Sequence, residues 1–496
     1  MPNVAYTNFT TGLAQDDFLP ATPSFLDWKN VDGIDTGYGL KLWPKVNKQL
    51  LTNYPIVAIE GNENVDWWLV ETIAGWINGE VYRLDGTDLT PIYTFPNNED
   101  ILQIVSTNSE FYIFYRDNDS ANEVNIANIS AWDIVDNDWS WITLDYFDDV
   151  SNISVSKKNL PYLKISQQEI ILWGSFWSVH KVNLVAQDSD TYNFPSNVVV
   201  WVTAQWSVFM VYCRDWNVYM WDWASELSSG QRYLWARISK VTQKEAIDYI
   251  STEDGQLYVG SGLSFQRITK PRMSNRLEDN SSFQSILSFN ATEETQNHSM
   301  VAVLDDLYLF TPDNVSGLVK YGRIIPWTQE WFHKAICSNY AWEDIDIIYD
   351  MYFYERTLQR LYFSYKAGAT YGIDYIDFKS VERAPSWYII TDVYTWWDTF
   401  KKEIKMIRRA TSNTSWDNSI TVYYRVDNGD WKLIQTINDA VDKIQVWEPM
   451  KTADWETFKR YRDRQYKIVL TNGNGGDNTP ILHELNEIFD NDNKNG

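Results

Sequence analysis

Cysteine is nearly absent: Cys213 and Cys337 are the two in 496 residues. Two thiols without a C-x-x-C spacing exclude a disulfide framework and a zinc–thiolate centre, which leaves them as small buried hydrophobes. Histidine is almost as scarce. His180, His298, His333 and His483 are its four positions, and none stands in H-E-x-x-H or another metal-ligand spacing. There is no G-x-S-x-G elbow, P-loop or dinucleotide fingerprint. The most apolar stretch, Val198 to Cys213, is broken by Thr203, Gln205 and Ser207 and makes no membrane span. The opening M-P-N-V-A-Y-T-N-F has no basic region followed by an apolar core, so no secretory signal is expected and export would need a route such as lysis. Basic residues are in deficit, 42 against 67 acidic, for a net charge of −25. Such a chain lacks the electrostatic footprint of a phosphate-backbone binder. Helical periodicity is missing as well.

What is present is a repeated β pattern. The composition is 44% hydrophobic and 16% aromatic, enough for a large core, and the length suits two domains or a repeat array. Val198 to Ala204, Ser207 to Cys213, Asn217 to Trp221 and Gln231 to Arg237 are four runs rich in β-branched and aromatic residues, separated by short polar breaks. They read as one up-and-down four-stranded sheet, which cannot bury both faces alone and must stack on copies of itself. Similar units start near Ile56, Ile101, Ile153, Ile247, Ser299 and Asp344, the last taking in Leu358 to Tyr365 and Ser386 to Thr391. The spacing lies in the range of propeller blades. The expected fold class is all-β: a propeller of about seven blades, with six to eight allowed, over 46–395.

Residues 1–45 read as an extended N-terminal arm, since Pro20, Pro23, Gly33, Gly37, Gly39 and Pro44 punctuate them too often for long elements. Phe9, Leu13, Phe18, Leu19, Phe25, Leu26, Val31 and Leu40 are its anchors. Beyond Asp398 the runs lengthen: Thr399 to Arg409, Ser419 to Arg425, Asp430 to Thr436, Arg464 to Thr471 and Thr479 to Phe489. Val426-Asp427-Asn428-Gly429 joins two of them with an Asn-Gly hairpin signal. A β-sandwich is expected over 396–489, followed by a disordered acidic tail, 490–496.

Glycine is also short: 22 residues against 26 tryptophans. A β-rich chain with many tight turns calls for more. Trp177, Trp216, Trp221, Trp223 and Trp416 stand where turns favour a residue without a side chain. Some bacterial lineages and their phages read UGA as glycine where another recoding reads tryptophan, so many of these positions are candidates for glycine. The competing reading is rings packed between blades or exposed for sugar stacking. Trp431 fits its strand as a true tryptophan, and Trp67-Trp68 fits either reading.

Carboxylates are plentiful, but no spacing singles out a glycosidase pair. Thr414-Ser415-Trp416-Asp417 does not fit the Asp-box of sialidase-like propellers. Asp117-Asn118-Asp119 and Asp136-Asn137-Asp138 hint at calcium loops without completing the ligand pattern, so solvated turns are expected. No catalytic, cofactor or metal residue is expected.

Two segments carry a resemblance. Asn8 to Pro20 (N-F-T-T-G-L-A-Q-D-D-F-L-P), then Leu26 to Asp32 and Gly37-Tyr38-Gly39-Leu40, resembles the opening of the nozzle or tubular B proteins of short-tailed phages and related virion propellers. The first phrase has one Gly of that family's two, with Thr10-Thr11-Gly12-Leu13 in its place, and Leu42-Trp43-Pro44 stands where its Arg-Pro-Gly turn would be. Ile420 to Arg425, Asp427 to Trp431, Tyr466 to Thr471 and Thr479 to Leu482 are similar to the sandwich that ends many such proteins. The resemblance implies a non-enzymatic virion component made in the host cytoplasm. It implies a homo-oligomeric ring around the tail axis, tied to other tail proteins through the arm, with an acidic lumen past which DNA slides. The alternatives are a glycan-binding or receptor-binding propeller and, after it, a propeller hydrolase.

Overall fold

The computed structural model describes residues 3–6, 25–28, 30–32, 40–64, 69–85, 88–95, 100–107, 109–116, 124–131, 133, 143–145, 162–166, 168–173, 178–186, 188–193, 199–205, 208–213, 217–221, 237–240, 246–251, 257–261, 264–268, 283–288, 300–303, 306–311, 317–321, 335–354, 358–380, 382–391, 394–395, 403–412, 414–427, 429–438, 444–449, 463–473 and 479–490. Every named element is a β-strand.

Seven consecutive four-stranded antiparallel sheets begin at Ile56, Asp100, Tyr162, Val199, Ala246, Met300 and Ile347. In the first six, the strands run in chain order and each is joined to the next. The first sheet, for example, is Ile56–Asn64, Leu69–Trp76, Glu80–Asp85 and Asp88–Thr94. The opening strand of each sheet lies near the sheet that follows, and Ile347–Tyr354 of the seventh lies against Ile56–Asn64 of the first. Only a ring of stacked sheets with opening strands innermost satisfies all these neighbours. The protein is all-β and of β-propeller type.

Stacking explains the sequence pattern. A sheet between two others is buried on both faces, so its strands need not alternate. Phe111, Tyr112, Ile113, Phe114 and Tyr115 are all buried. Phe111, Ile113 and Tyr115 face the first sheet's core, with Val57 and Ile73, while Tyr112 and Phe114 face the third sheet, with Ile170 and Leu172. A bulge between Ile56 and Ala58 turns Val57 and Ala58 toward the second sheet and leaves Ile56 and Ile59 toward the seventh.

The seventh sheet departs from the sequence reading. Its fourth strand is not Ser386–Thr391 but Val46–Thr52, which pairs with Thr370–Asp377. Ser386–Thr391 pairs instead with Asp463–Asn472, in a six-stranded sheet that also holds Phe25–Trp28, Asn418–Val426, Lys432–Ile437 and Tyr394–Thr395. A further sheet joins Asn3–Tyr6, Ile481–Asp490, Glu403–Ser412 and Ile444–Pro449, the last a strand the sequence reading missed. Thus the arm is woven into the C-terminal sheets of its own chain. Leu40 pairs with Leu482 and Trp43 donates its N–H to the Asn30 carbonyl (2.9 Å).

One core spans these parts. Val31, Leu42 and Trp43 of the arm, Leu361 and Phe363 of the seventh sheet, Ile420, Ile468 and Leu470 of the six-stranded sheet and Leu482 of the four-stranded sheet form a single cluster. The Asn-Gly turn is where the sequence placed it: Gly429 donates to the Val426 carbonyl (2.8 Å) and Asp427 takes φ 48°. Asp490 closes the last strand, and the tail beyond it lies outside the described residues.

Candidate functional site

A polar cluster built around the buried Glu60 and Ser106, with Tyr162 and Asp350 half-buried and Lys164 at its exposed edge, gathers on the opening strands of four sheets. Glu60 sits on Ile56–Asn64 of the first sheet, Ser106 ends Asp100–Ser106 of the second, Tyr162 and Lys164 belong to Tyr162–Lys164 of the third, and Asp350 lies on Ile347–Tyr354 of the seventh. The Ser106 hydroxyl (2.6 Å) and N–H (3.2 Å) donate to Glu60 Oε1, and the Tyr162 hydroxyl donates to Oε2 (3.0 Å). Lys164 Nζ donates to the Ser106 carbonyl. Asp350 binds the other side of the same strand: the Ile59 N–H donates to its Oδ2 (2.8 Å) and the Met351 N–H to its Oδ1 (2.9 Å).

Tyrosines complete the cluster. Tyr352 donates to the Gly61 carbonyl (2.9 Å), and the hydroxyls of Tyr354 and Thr72 are hydrogen-bonded to each other. Gly61 has to be glycine because a Cβ there would overlap the rings of Tyr352 and Tyr354. The innermost strand thus comes closer to the tyrosine strand than any side chain would permit.

Burial dominates the electrostatics. It pushes the Glu60 carboxyl up, against Ser106, Lys164 and Tyr162, which pull it down. It pushes Asp350 up to about 7, opposed by the Ile59 and Met351 amides and reinforced by Glu60. Desolvation holds Lys164 down while Glu60 pulls it up. Burial also drives the Tyr162 and Tyr354 phenols well above their usual range. A second buried acid, Asp374, is pushed up to about 8 by burial, with the Tyr340 amide, Tyr365 and Lys48 pulling back.

Each carboxylate oxygen of Glu60 and Asp350 already accepts a hydrogen bond from the chain itself. A hydrolytic pair needs one acid and one base facing substrate or water. This pair instead clasps sheets: Glu60 joins the first, second and third, and Asp350 joins the seventh to the first.

The sequence reading did not single out Glu60, Asp350 or Lys164. The available signal was a charged residue inside an apolar run, as in I-V-A-I-E and I-I-Y-D-M. Of the histidines, His180 is buried with its Nδ1 3.1 Å from the Thr191 hydroxyl, a structural setting. His298 and His333 lie outside the described residues, as do both candidate calcium loops, Asp117 to Asp119 and Asp136 to Asp138, and Trp67-Trp68, Trp177, Trp216 and Trp223. No group of three metal-ligating side chains occurs among the described residues. No helix among them is long and apolar enough to cross a membrane.

The fold defines the chain as a β-propeller-type protein. No family model matches the chain, and no curated protein does. Among solved structures it is similar to the extracellular domain of a hybrid two-component system from B. thetaiotaomicron, at 10% identity and a TM-score of 0.46, covering 79% of this chain and 47% of that one. It is also similar to the WD40 β-propeller domain of Doa1, at 7% identity and a TM-score of 0.44, covering 68% of this chain and 98% of that one. The chain therefore spans about half the length of the first of these structures.

Proposed function

We propose that the protein is a non-enzymatic structural component of a phage virion, a tail nozzle, connector or tail-tip protein that assembles as a ring around the DNA path. The observation that carries this reading is the joining of the two segments that resemble the nozzle proteins. Leu40, which ends the arm's Gly37-Tyr38-Gly39-Leu40 phrase, pairs with Leu482, and Phe25–Trp28, which overlaps the phrase Leu26 to Asp32, lies in one sheet with Asn418–Val426 and Asp463–Asn472. Segments at opposite ends of the chain thus form one body. The arm remains the tie to neighbouring tail proteins, from a base fixed on its own chain. The net charge of −25 suits a surface along which DNA slides without adhering.

Peptide mass spectrometry of purified phage particles tests the reading. Peptides of this chain in stoichiometric amount with other tail proteins are expected. Their absence from particles, with the chain present in the host fraction, overturns it.

One observation favours the glycan-binding alternative. Trp416, 88% exposed, presents its ring to solvent in the turn before Asn418–Val426. That alternative predicts glycan-array binding lost in Trp416→Ala.

A further inference from the structure

Four described non-glycine residues have positive φ: Asn30 (48°), Trp342 (67°), Gln359 (49°) and Asp427 (48°). Asn and Asp visit this region readily, because their short side chains bond locally. A bulky aromatic there is an outlier, since Cβ crowds the following carbonyl oxygen.

The loop around Trp342 leaves the backbone little choice. The Asn339 side-chain oxygen accepts the N–H groups of Ala341 (3.0 Å) and Glu343 (2.8 Å). The Asn339 N–H donates to the Glu343 carbonyl (3.0 Å), and the Trp342 N–H to the Asn339 carbonyl (3.0 Å). Four bonds close the turn, and its fourth residue needs the left-handed conformation that glycine adopts without penalty.

Trp416, by contrast, is not among the residues with positive φ, so its backbone does not by itself demand glycine. Its turn is closed by the Ser415 N–H to the Asn418 carbonyl (2.7 Å) and the Asn418 N–H to the Ser415 hydroxyl (3.1 Å). The 88% exposed indole contributes almost no burial to this turn. With 26 tryptophans and 22 glycines in the whole chain, a residue built for glycine is occupied by tryptophan at a site that the sequence pattern alone had not singled out.

We infer that the natural chain carries glycine at 342, encoded by UGA and read by a host translation system that decodes UGA as glycine. This inference concerns decoding and stands apart from the virion reading, since a cellular protein of the same host would carry the same glycines.

Two measurements test it. The first is the gene's codon at 342 together with the mass of the 342-containing peptide from the natively produced protein. UGA and a peptide lighter by the difference between glycine and tryptophan are expected. UGG, or tryptophan in that peptide, overturns the inference whatever the fraction from which the protein was isolated.

The second compares Trp342→Gly with Trp342→Ala in chemical denaturation. Both lose the ring, which lies 5.9 Å from Trp387, but only glycine relieves the backbone. Glycine is expected to exceed alanine by about fivefold in the folding equilibrium. At Trp387, in an ordinary strand, the order reverses and alanine is the better substitute. Alanine equal to or better than glycine at 342 overturns the structural argument, and if neither variant folds the codon and peptide mass decide.

Discussion

At the residue scale, the buried acids set the chemistry of the molecule. Asp350 and Asp374 are pushed to about 7 and about 8, above their unfolded values near 4. An acid with a raised folded pKa favours the fold fully below its unfolded pKa, and that contribution is lost as pH rises through the folded value. Stability should therefore decline between about pH 4 and pH 8. The check is urea denaturation from pH 5 to pH 9, with Asp350→Asn flattening part of the slope. A profile unchanged in that variant would remove Asp350 from the account. Gly61 is the second point of leverage. Gly61→Ala forces a methyl into the rings of Tyr352 and Tyr354. A loss of about 1–3 kcal/mol is expected in equilibrium unfolding. Neither Glu60 nor Asp350 was legible as a clasp in the sequence, because their partners Ser106, Tyr162 and the Ile59 amide come from other strands or from other sheets.

At the element scale, the decisive strand is Val46–Thr52. It supplies the outer strand of the seventh sheet, so a strand that precedes the first repeated sheet completes the last one. Gly372 lets this strand approach, since a Cβ there would lie 2.6 Å from the Leu50 carbonyl oxygen. Leu50→Pro puts a residue without an N–H and with a fixed φ opposite Ile373, and it should lower the urea midpoint of unfolding. Deleting residues 1–52 removes strands from the seventh sheet and from both C-terminal sheets at once. The truncated chain is expected to lose cooperative unfolding by calorimetry, and a sharp transition near that of the full chain would show that the ring closes without the arm. The strand content of each unit was readable from runs such as E-F-Y-I-F-Y-R. The assignment of Ser386–Thr391 was not, because its apolar pattern suits either sheet and only pairing with Asp463–Asn472 separates them.

At the scale of the whole molecule, stacking and charge are the two organising facts. Stacked sheets bury both faces, which is why apolar residues run continuously rather than alternate. The acidic excess predicts no retention of double-stranded DNA by the purified protein even at about 50 mM salt, where phosphate contacts are strongest. A mobility shift under those conditions would contradict the proposed passive lumen. Native mass spectrometry should show a closed homo-oligomer, as head-to-tail contacts around an axis require. A monomer at all concentrations would count against a ring.

The residue order alone determined that this chain is all-β, built of repeated four-stranded units, acidic, and without the motifs of common catalytic or metal sites. Those properties are local: they follow from the side chains within a strand, the turn residues beside it and the sum of charges. Tertiary structure alone decided that the arm belongs to the C-terminal sheets, that Val46–Thr52 completes the seventh sheet, and that Glu60 and Asp350 are neighbours. These are pairings between residues some 300 positions apart or more. Hydrogen bonds and desolvation act on distance in space, which no local pattern records.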